Sequence, residues 1–205
     1  MKTTSVLKPL LFIAILTVLS AFARIFTPAK YKVDTKASSL LWTGKKITGQ
    51  HTGAILVSSG ELVTDGKQVK QGTFDIDVTS ITVTDVTDKD SNAKLVGHLK
   101  NDDFFGAEKF PKATFVISSV TPIKNDDYSV KGKLTIKGIT KDIEFTAVIK
   151  TDAKKLTATA KIVVDRTQYD IKYGSSSFFD NLGNKAISND FELDLKLVAN
   201  VQPGV

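Results

Sequence analysis

The stretch YSVKGKLTIK at residues 128–137 decides the fold class of this chain. Tyr128, Val130, Leu134 and Ile136 alternate with serine, lysine and threonine, so the apolar side chains fall on one face with a period of two. The apolar residues of an amphipathic helix recur every three to four positions instead. This stretch is therefore predicted to be a β-strand with one buried face and one solvated face.

The same alternation recurs along the chain and predicts an all-β fold. Strands are expected at residues 39–47, 51–58, 72–83, 112–120, 128–137, 142–150, 156–165 and 186–199. Short polar turns such as Thr64-Asp65-Gly66 favour antiparallel neighbours. Eight one-sided strands without long helical crossovers form either two packed sheets or a closed barrel. We expect an eight-stranded antiparallel β-barrel, because an even number of hairpin-linked strands closes without leaving an edge.

The inward faces of these strands indicate what the barrel holds. They include several small residues, which leave room for an apolar guest: Gly53, Gly132, Ala147, Ala158 and Ala160. Close packing of bulky neighbours around the small residues is the alternative. The larger inward side chains predicted to line a ligand tunnel are Trp42, Ile55, Phe74, Ile76, Phe115, Leu134, Phe145, Ile162 and Leu193. For each of them, ordinary core packing is the alternative.

Two connections are much longer than the others. Residues 84–111 hold the only helical-looking stretch, and residues 166–185 hold four aromatic side chains. In an up-and-down barrel both connections lie at the same end, so we expect them to form a short helix and a lid over one mouth. Tyr169 and Phe178 in the second connection are candidate ligand contacts.

Asp165 and Arg166 stand where the seventh predicted strand meets the second long connection. One interpretation is an ion pair that positions this connection. In the other, Arg166 acts with Lys45 or Lys46 and contacts an anionic head group of the ligand. Arg166 is therefore also a candidate ligand-binding residue.

Composition excludes several kinds of chemistry. The chain has 205 residues, two histidines and no cysteine, which removes disulfides, thiol nucleophiles and Cys-based zinc sites. His51 and His98 would need a third ligand to hold zinc, and no Gly-x-Ser-x-Gly elbow supplies a serine nucleophile. The lysines alternate with apolar residues instead of forming a basic stripe, which argues against nucleic-acid binding. No catalytic residue, metal ligand or cofactor is predicted.

Residues 1–23 have the pattern of a signal peptide. Two lysines precede an apolar run from Leu10 to Leu19, and a small-x-small tripeptide follows at residues 21–23. The run is shorter than the roughly 20 residues that span a bilayer, so we expect cleavage after Ala23, with a membrane anchor as the alternative. The mature domain, residues 24–205, would then be exported without a stable membrane span. Its alternating surface indicates no oligomeric state.

Seven short motifs stand in order along residues 31–199. They are YKVD at 31–34, LWTG at 41–44, GQHTG at 49–53, HLKNDDFF at 98–105, FPKATF at 110–115, GKLTIKGITK at 132–141 and DR at 165–166. This ordered set resembles the YceI-like lipid/polyisoprenoid-binding family. The resemblance implies a lipocalin-like β-barrel, usually exported to the periplasm, that encloses a quinone or polyprenyl tail. It implies binding and carriage, with no catalytic residues to transfer.

The sequence therefore predicts a periplasmic or secreted protein, not an enzyme, that carries or sequesters a polyisoprenoid or similar long apolar lipid. Two alternatives stay open. One is a barrel enzyme acting on such a lipid, whose turnover would depend on His51 or His98. The other is a filled structural or stress-response barrel, whose thermal stability would not respond to any added lipid.

Overall fold

The computed structural model describes residues 28–66, 68–152 and 154–203. The predicted signal peptide and its cleavage site lie outside these residues. The described chain contains one α-helix, α1 (Lys89–Lys100), and nine strands. The strands are β1 (Pro28–Val33), β2 (Ser39–Lys46), β3 (Gly49–Asp65), β4 (Gln68–Val83), β5 (Lys112–Lys124), β6 (Asp127–Ile136), β7 (Ile139–Thr151), β8 (Lys155–Asp165) and β9 (Ile187–Val201).

The strands close into an antiparallel barrel with eight positions. Successive pairings run from β3 through β2, β9, β8, β7, β6 and β5 to β4, and β4 pairs again with β3. β1 and β2 share one position, because β1 pairs with β3 and β9 at one end and β2 pairs with the same two strands at the other. The predicted eight-stranded antiparallel barrel with a short helix is confirmed.

Two details of the strands differ from the prediction. β1 was missed because it is short and ends at a tight turn, in which the Asp34 carboxylate accepts hydrogen bonds from the backbone N–H groups of Lys36 and Ala37. β3 continues to Asp65, beyond the predicted end at residue 58. Its pairing with β4 shifts register between Val57 and Ser59, so the alternation breaks there although the strand continues.

The two ends of the barrel differ in their connections. At one end, here called the hairpin end, short turns join β3 to β4, β5 to β6 and β7 to β8. At the other, here called the lid end, two of the connections are long: residues 84–111, which contain α1, and residues 166–186. Each end has its own buried apolar cluster, and half-buried side chains of the barrel wall pack against both.

α1 is held at its start by a cap and along its side by the barrel. The carboxylate of Asp88 accepts a hydrogen bond from the N–H of Ser91, as an N-cap does. The side-chain amide of Asn92 donates to the carbonyl oxygens of Val83 and Val86, and Leu99 is the buried residue of the helix. Among the described residues, no helix has the length and hydropathy that crossing a membrane requires.

Candidate functional site

An apolar cavity runs inside the barrel, with a volume of about 210 Å³. A water molecule occupies about 30 Å³ of liquid, and voids between packed core side chains rarely exceed that size. The barrel is therefore not filled by its own side chains. An apolar cavity of this kind stays free of water and is available to an apolar guest.

The cavity is long and narrow. Along β9 its wall extends from Ile187 near the lid end to Leu197 near the hairpin end. A rise of about 3.3 Å per residue and a strand tilt of about 40° give a length of roughly 25 Å along the barrel axis. This shape fits a linear chain better than a compact molecule.

All nine side chains predicted to line the tunnel lie in the wall of this cavity. At its centre three aromatic rings are in contact: the Phe115 centroid lies 6.3 Å from that of Phe74 and 5.6 Å from that of Phe145. The structure contains no guest, so contact of these residues with a ligand stays a prediction.

The glycines do not supply the free space that the sequence suggested. A Cβ at Gly53 would overlap the indole of Trp42, which packs on this glycine and donates from Nε1 to the carbonyl oxygen of Thr82 at 3.0 Å. A Cβ at Gly132 would lie 2.5 Å from the ring of Phe115. Gly53 and Gly132 are thus covered by aromatic rings, as the close-packing alternative predicted. Ala147 and Ala158, by contrast, do border the cavity.

The wall also contains residues that were not chosen from the sequence. Several lie on the same alternating rows and follow from the period of two, among them Leu40, Val57, Ile136, Ile149 and Leu197. Others come from the long connections: Leu99 lies in α1, and Phe104, Phe105 and Ile171 have no periodic signal. The lid therefore forms part of the wall.

The two long connections meet over the lid end, as predicted. The ring of His98 in α1 makes edge-to-face contacts with Tyr173 at 4.6 Å and with Phe104 at 4.9 Å between centroids. Phe105 packs edge-to-face on Phe191 of β9 at 6.3 Å. These contacts join the two connections to each other and to the barrel.

Tyr169 and Phe178, two candidate ligand contacts, do not border the cavity. Tyr169 is buried in the apolar cluster of the lid end, and this burial raises the pKa of its hydroxyl to about 12. Phe178 is exposed, and the ammonium group of Lys172 lies 5.2 Å from its ring centroid. Neither side chain is placed to touch a guest inside the barrel.

Arg166 is buried at the lid end of the cavity and borders it. Its guanidinium donates to the carbonyl oxygens of Ser188 and Ile171, both at 2.8 Å, and of Ile187 at 3.1 Å. These carbonyls stand at the two ends of the connection between β8 and β9, so Arg166 fastens that connection at both ends.

The ion pair between Asp165 and Arg166, one of the two interpretations offered by the sequence, does not form. Among the described residues, no carboxylate oxygen lies within 4.0 Å of the Arg166 guanidinium nitrogens. The Asp165 carboxylate instead accepts hydrogen bonds from the N–H and hydroxyl of Thr167. Burial raises the pKa of Asp165, but these hydrogen bonds outweigh burial and leave that pKa below its ordinary value. Burial lowers the pKa of Arg166 and the charge of Asp165 opposes this effect.

The lysines suggested as partners of Arg166 lie elsewhere. Lys45 is exposed and forms an ion pair with Glu192 on the outer surface. Lys46 is also exposed, at the end of β2. The structure therefore does not bring either lysine to Arg166 in the cavity wall.

The cavity reaches the surface near the start of β9. Gly44 pairs with Phe191 and Lys46 with Ile187, so β9 carries two extra residues opposite Lys45. Such a bulge bends the strand and interrupts its ladder of hydrogen bonds. Ser188 and Asp190 in the bulge are exposed and border the cavity. This bulge marks the opening of the cavity.

The two histidines lie apart and in ordinary polar contacts. His51 Nδ1 is 2.8 Å from an Asp85 oxygen, and His98 Nε2 is 3.7 Å from an Asp103 oxygen. Asp102, four residues after His98, lies beyond the end of α1 at Lys100 and forms an ion pair with Lys109. Within the described ranges, no three His, Cys, Asp or Glu residues are grouped as metal ligands.

A model of the YceI-like domain family matches residues 31–199. A UPF0312 protein of Staphylococcus aureus (strain USA300) is 41% identical over 86 residues, covering 38% of this chain and 47% of that protein. A UPF0312 protein of Shewanella denitrificans is 30% identical over 126 residues, covering 58% and 61%. These matches thus span about half the length of the curated relatives.

Solved structures share the fold. A polyisoprenoid binding domain from Saccharophagus degradans, implicated in plant cell wall breakdown, has a TM-score of 0.62 at 16% identity, over 84% of this chain and 98% of that one. BcnA of Burkholderia cenocepacia has a TM-score of 0.58 at 23% identity, over 81% and 98%. A YceI protein of Campylobacter jejuni has a TM-score of 0.52 at 26% identity, over 67% and 75%. Because the family model spans most of the chain and these structures share its barrel, the chain belongs to the YceI-like domain family.

Proposed function

We propose that this protein binds a polyisoprenoid or similar long apolar lipid inside its barrel and carries or sequesters it. The observation that carries this proposal is the long apolar cavity of about 210 Å³. Burial of each CH₂ group of a lipid tail contributes about 0.8 kcal/mol, so such a tail binds without specific polar partners. The shared fold with a structure described as a polyisoprenoid binding domain supports the same ligand class.

The lid end of the cavity favours a neutral head group. Arg166 has five N–H donors, of which three bond to backbone carbonyls, so two are left for a further acceptor. Asp190 borders the same end of the cavity, and Asp165 precedes Arg166 in the chain. The Asp165 carboxylate is bound to Thr167 and is not part of the cavity wall, so the Asp190 carboxylate alone balances the guanidinium charge there. With no net positive charge at this end to attract a phosphate, a neutral acceptor, such as a quinone carbonyl oxygen, is favoured as the partner of the remaining Arg166 donors.

The proposed role is binding, outside the cytoplasm and without catalysis. Support for export comes from the signal-peptide pattern of residues 1–23. Support for binding without turnover comes from the cavity wall, whose charged side chains are Arg166 and Asp190 among the described residues. Neither His51 nor His98 is part of that wall.

The single tryptophan provides a direct test, because Trp42 borders the cavity. Titration with a quinone that carries a short isoprenoid tail should quench Trp42 fluorescence in a saturable way at one quinone per chain. It should also raise the thermal midpoint, since a ligand that binds only the native state stabilises it. Native mass spectrometry of the purified protein, followed by solvent extraction, would identify a lipid acquired in the cell.

Two substitutions on β8 provide a matched control. Ala158→Phe fills the cavity and should abolish quenching, whereas Val163→Phe adds a similar ring at an exposed position and should leave it unchanged. Circular dichroism verifies that both variants keep the strand content. The proposal fails if neither quinones nor polyprenols quench Trp42, shift the thermal midpoint or are extracted from the protein.

A further inference from the structure

Three aromatic rings stand at mid-depth in the cavity wall. They belong to Phe74, Phe115 and Phe145, and the ring of Phe115 is in contact with the other two. Phe115 and Phe145 pack against the buried apolar clusters of both ends, so they lie where the lid half of the barrel meets the hairpin half. A lipid tail that extends from the lid end therefore meets these rings before it reaches the hairpin end.

Glycines lie directly behind two of the rings. A Cβ at Gly132 would lie 2.5 Å from ring carbons of Phe115, and a Cβ at Gly60 would lie 2.7 Å from Cδ1 of Phe74. A Cβ at Gly72 would lie 3.2 Å from Cε2 of Phe74. Both rings thus rest on bare backbone, where a glycine allows close approach. They are already as far out as the barrel wall permits and cannot retreat further to make room for a guest.

An aliphatic side chain is seated in the same way. A Cβ at Gly72 would lie 2.7 Å from Cδ1 of Ile117, which also borders the cavity. β5 runs from the lid end towards the hairpin end, so Ile117 lies one step deeper than Phe115 on the same face. Phe74, Phe115 and Ile117 are here called the constriction.

The volume of the cavity makes the constriction important. A cavity of about 150 Å³ admits one benzene molecule. The volume of about 210 Å³ found here is spread along the barrel, so a tail that occupies the whole length has to displace side chains of the wall. The lid can yield because few contacts hold it. The constriction is pressed against the strands, so it is the part of the wall that resists a passing tail.

We propose that the constriction decides how far a lipid tail extends into the barrel and thereby sets the tail length that the protein prefers. An extended chain advances about 1.2 Å per bond, so an isoprene unit with four bonds along the chain covers about 5 Å. The lid half of the cavity, about half of roughly 25 Å, is long enough for about two or three units. Further units have to pass the constriction. The inference rests on the proposed function, because it concerns the tail of the same guest.

Titration of Trp42 fluorescence with quinones whose tails have one to four isoprene units tests the proposal. Trp42 belongs to the apolar cluster of the lid end, so it reports the bound quinone at every tail length. In the unmodified chain, affinity should rise about tenfold or more with each unit up to the second or third, and about threefold or less with the next. Phe115→Leu should enlarge that last gain to about tenfold. Phe178→Leu, the same change at an exposed position, is the control and should leave the gain as it is.

A second variant narrows the constriction. The three nearest contacts of a Cβ at Gly72 all belong to the side chains of Ile117 and Phe74, so Gly72→Ala should push these side chains into the cavity. The ratio of the affinities for four-unit and one-unit tails should fall about tenfold. Adding Ile117→Val removes the overlapping Cδ1 and should restore most of this ratio. Gly97→Ala, on the exposed side of α1 with open space around it, is the matched control.

The outcomes separate the constriction from the proposed function. Circular dichroism verifies the strand content of each variant, and Phe115→Leu, which makes the side chain smaller, tests the proposal even if Gly72→Ala does not fold. A larger gain for long tails in Phe115→Leu supports the inference, as does a loss in Gly72→Ala that Ile117→Val reverses. If quinones bind but their affinities depend on tail length equally in the unmodified chain and in Phe115→Leu, the inference is overturned and lipid binding stands. If quinones of every tail length fail to bind the unmodified chain, both the inference and the proposed function fail.

Discussion

The hairpin end and the lid end of the barrel are built from the same strands but closed in different ways. At the hairpin end, tight turns join neighbouring strands, and the buried cluster that includes Tyr31, Leu62 and Leu156 closes the interior. At the lid end, a helix and two long connections cover the opening and are held by a few specific contacts, chiefly those of Arg166 and His98. Dense apolar packing opens only with global unfolding, whereas segments held by few contacts open locally. We therefore expect a guest to enter and leave at the lid end.

The largest expected effect is a loss of global stability at the hairpin end. Leu156 is fully buried there, and Leu156→Ala should lower the free energy of unfolding by about 3 kcal/mol through lost burial and an enlarged cavity. Leu99→Ala in α1 should cost less, because the lid can rearrange around the change. Urea unfolding of both variants measures the difference. Equal losses would mean that the lid and the barrel form one cooperative unit.

Removal of the Arg166 side chain should have the next largest effect. Arg166→Ala deletes three hydrogen bonds to backbone carbonyls, one of them buried and two partly buried, and should lower the free energy of unfolding by about 2 kcal/mol. Amide hydrogen exchange should rise in residues 170–187 before it rises in the hairpin end. Arg166→Lys retains the charge but lacks the planar set of N–H donors of a guanidinium, so it should restore little of the amide protection in residues 170–187. If amide protection in the Arg166→Ala variant were equal at the lid end and the hairpin end, Arg166 would not be what holds this connection in place.

A smaller effect is expected at the contact between the two long connections. His98→Ala removes the edge-to-face contacts with Tyr173 and Phe104, each worth about 1 kcal/mol. The lid should open more often, and a bound quinone should dissociate several times faster in stopped-flow measurements of Trp42 fluorescence. His51→Ala, outside the lid contact and the cavity wall, is the control and should leave the dissociation rate unchanged. A rate unaffected by His98→Ala would show that the guest leaves by another route.

The smallest expected effect is a loss of stability in the connection between β8 and β9 at low pH. Hydrogen bonds from Thr167 hold the pKa of Asp165 below its ordinary value despite the opposing effect of burial. A carboxyl group with a lowered folded-state pKa contributes stability above its unfolded pKa, and this stability is lost as the pH falls through the folded value. Acid should therefore loosen residues 166–186. Limited proteolysis at decreasing pH measures this effect as faster cleavage within residues 166–186. In the Asp165→Asn variant, the rate of this cleavage should depend less on pH.

The strands could be predicted from the sequence because alternation is a local property of the chain. The period of two placed eight strands and put all nine chosen side chains in the cavity wall. It failed where a bulge interrupts the alternation, as between Val57 and Ser59, and where a strand is as short as β1. The lid helix was visible because of its loose three-to-four spacing.

The sequence by itself determined the barrel, because hydrophobic alternation and short turns leave few other ways to bury eight one-sided strands. It also determined that the two long connections share one end, since this follows from strand direction. Only the tertiary structure decided how the inward glycines are covered: Trp42 packs on Gly53, and Phe115 packs on Gly132. It also decided that Arg166 bonds to carbonyls near residues 171 and 187 instead of to its neighbour Asp165. The physical reason is that side-chain packing and hydrogen-bond partners depend on residues distant in the chain, which are brought together only when the barrel closes.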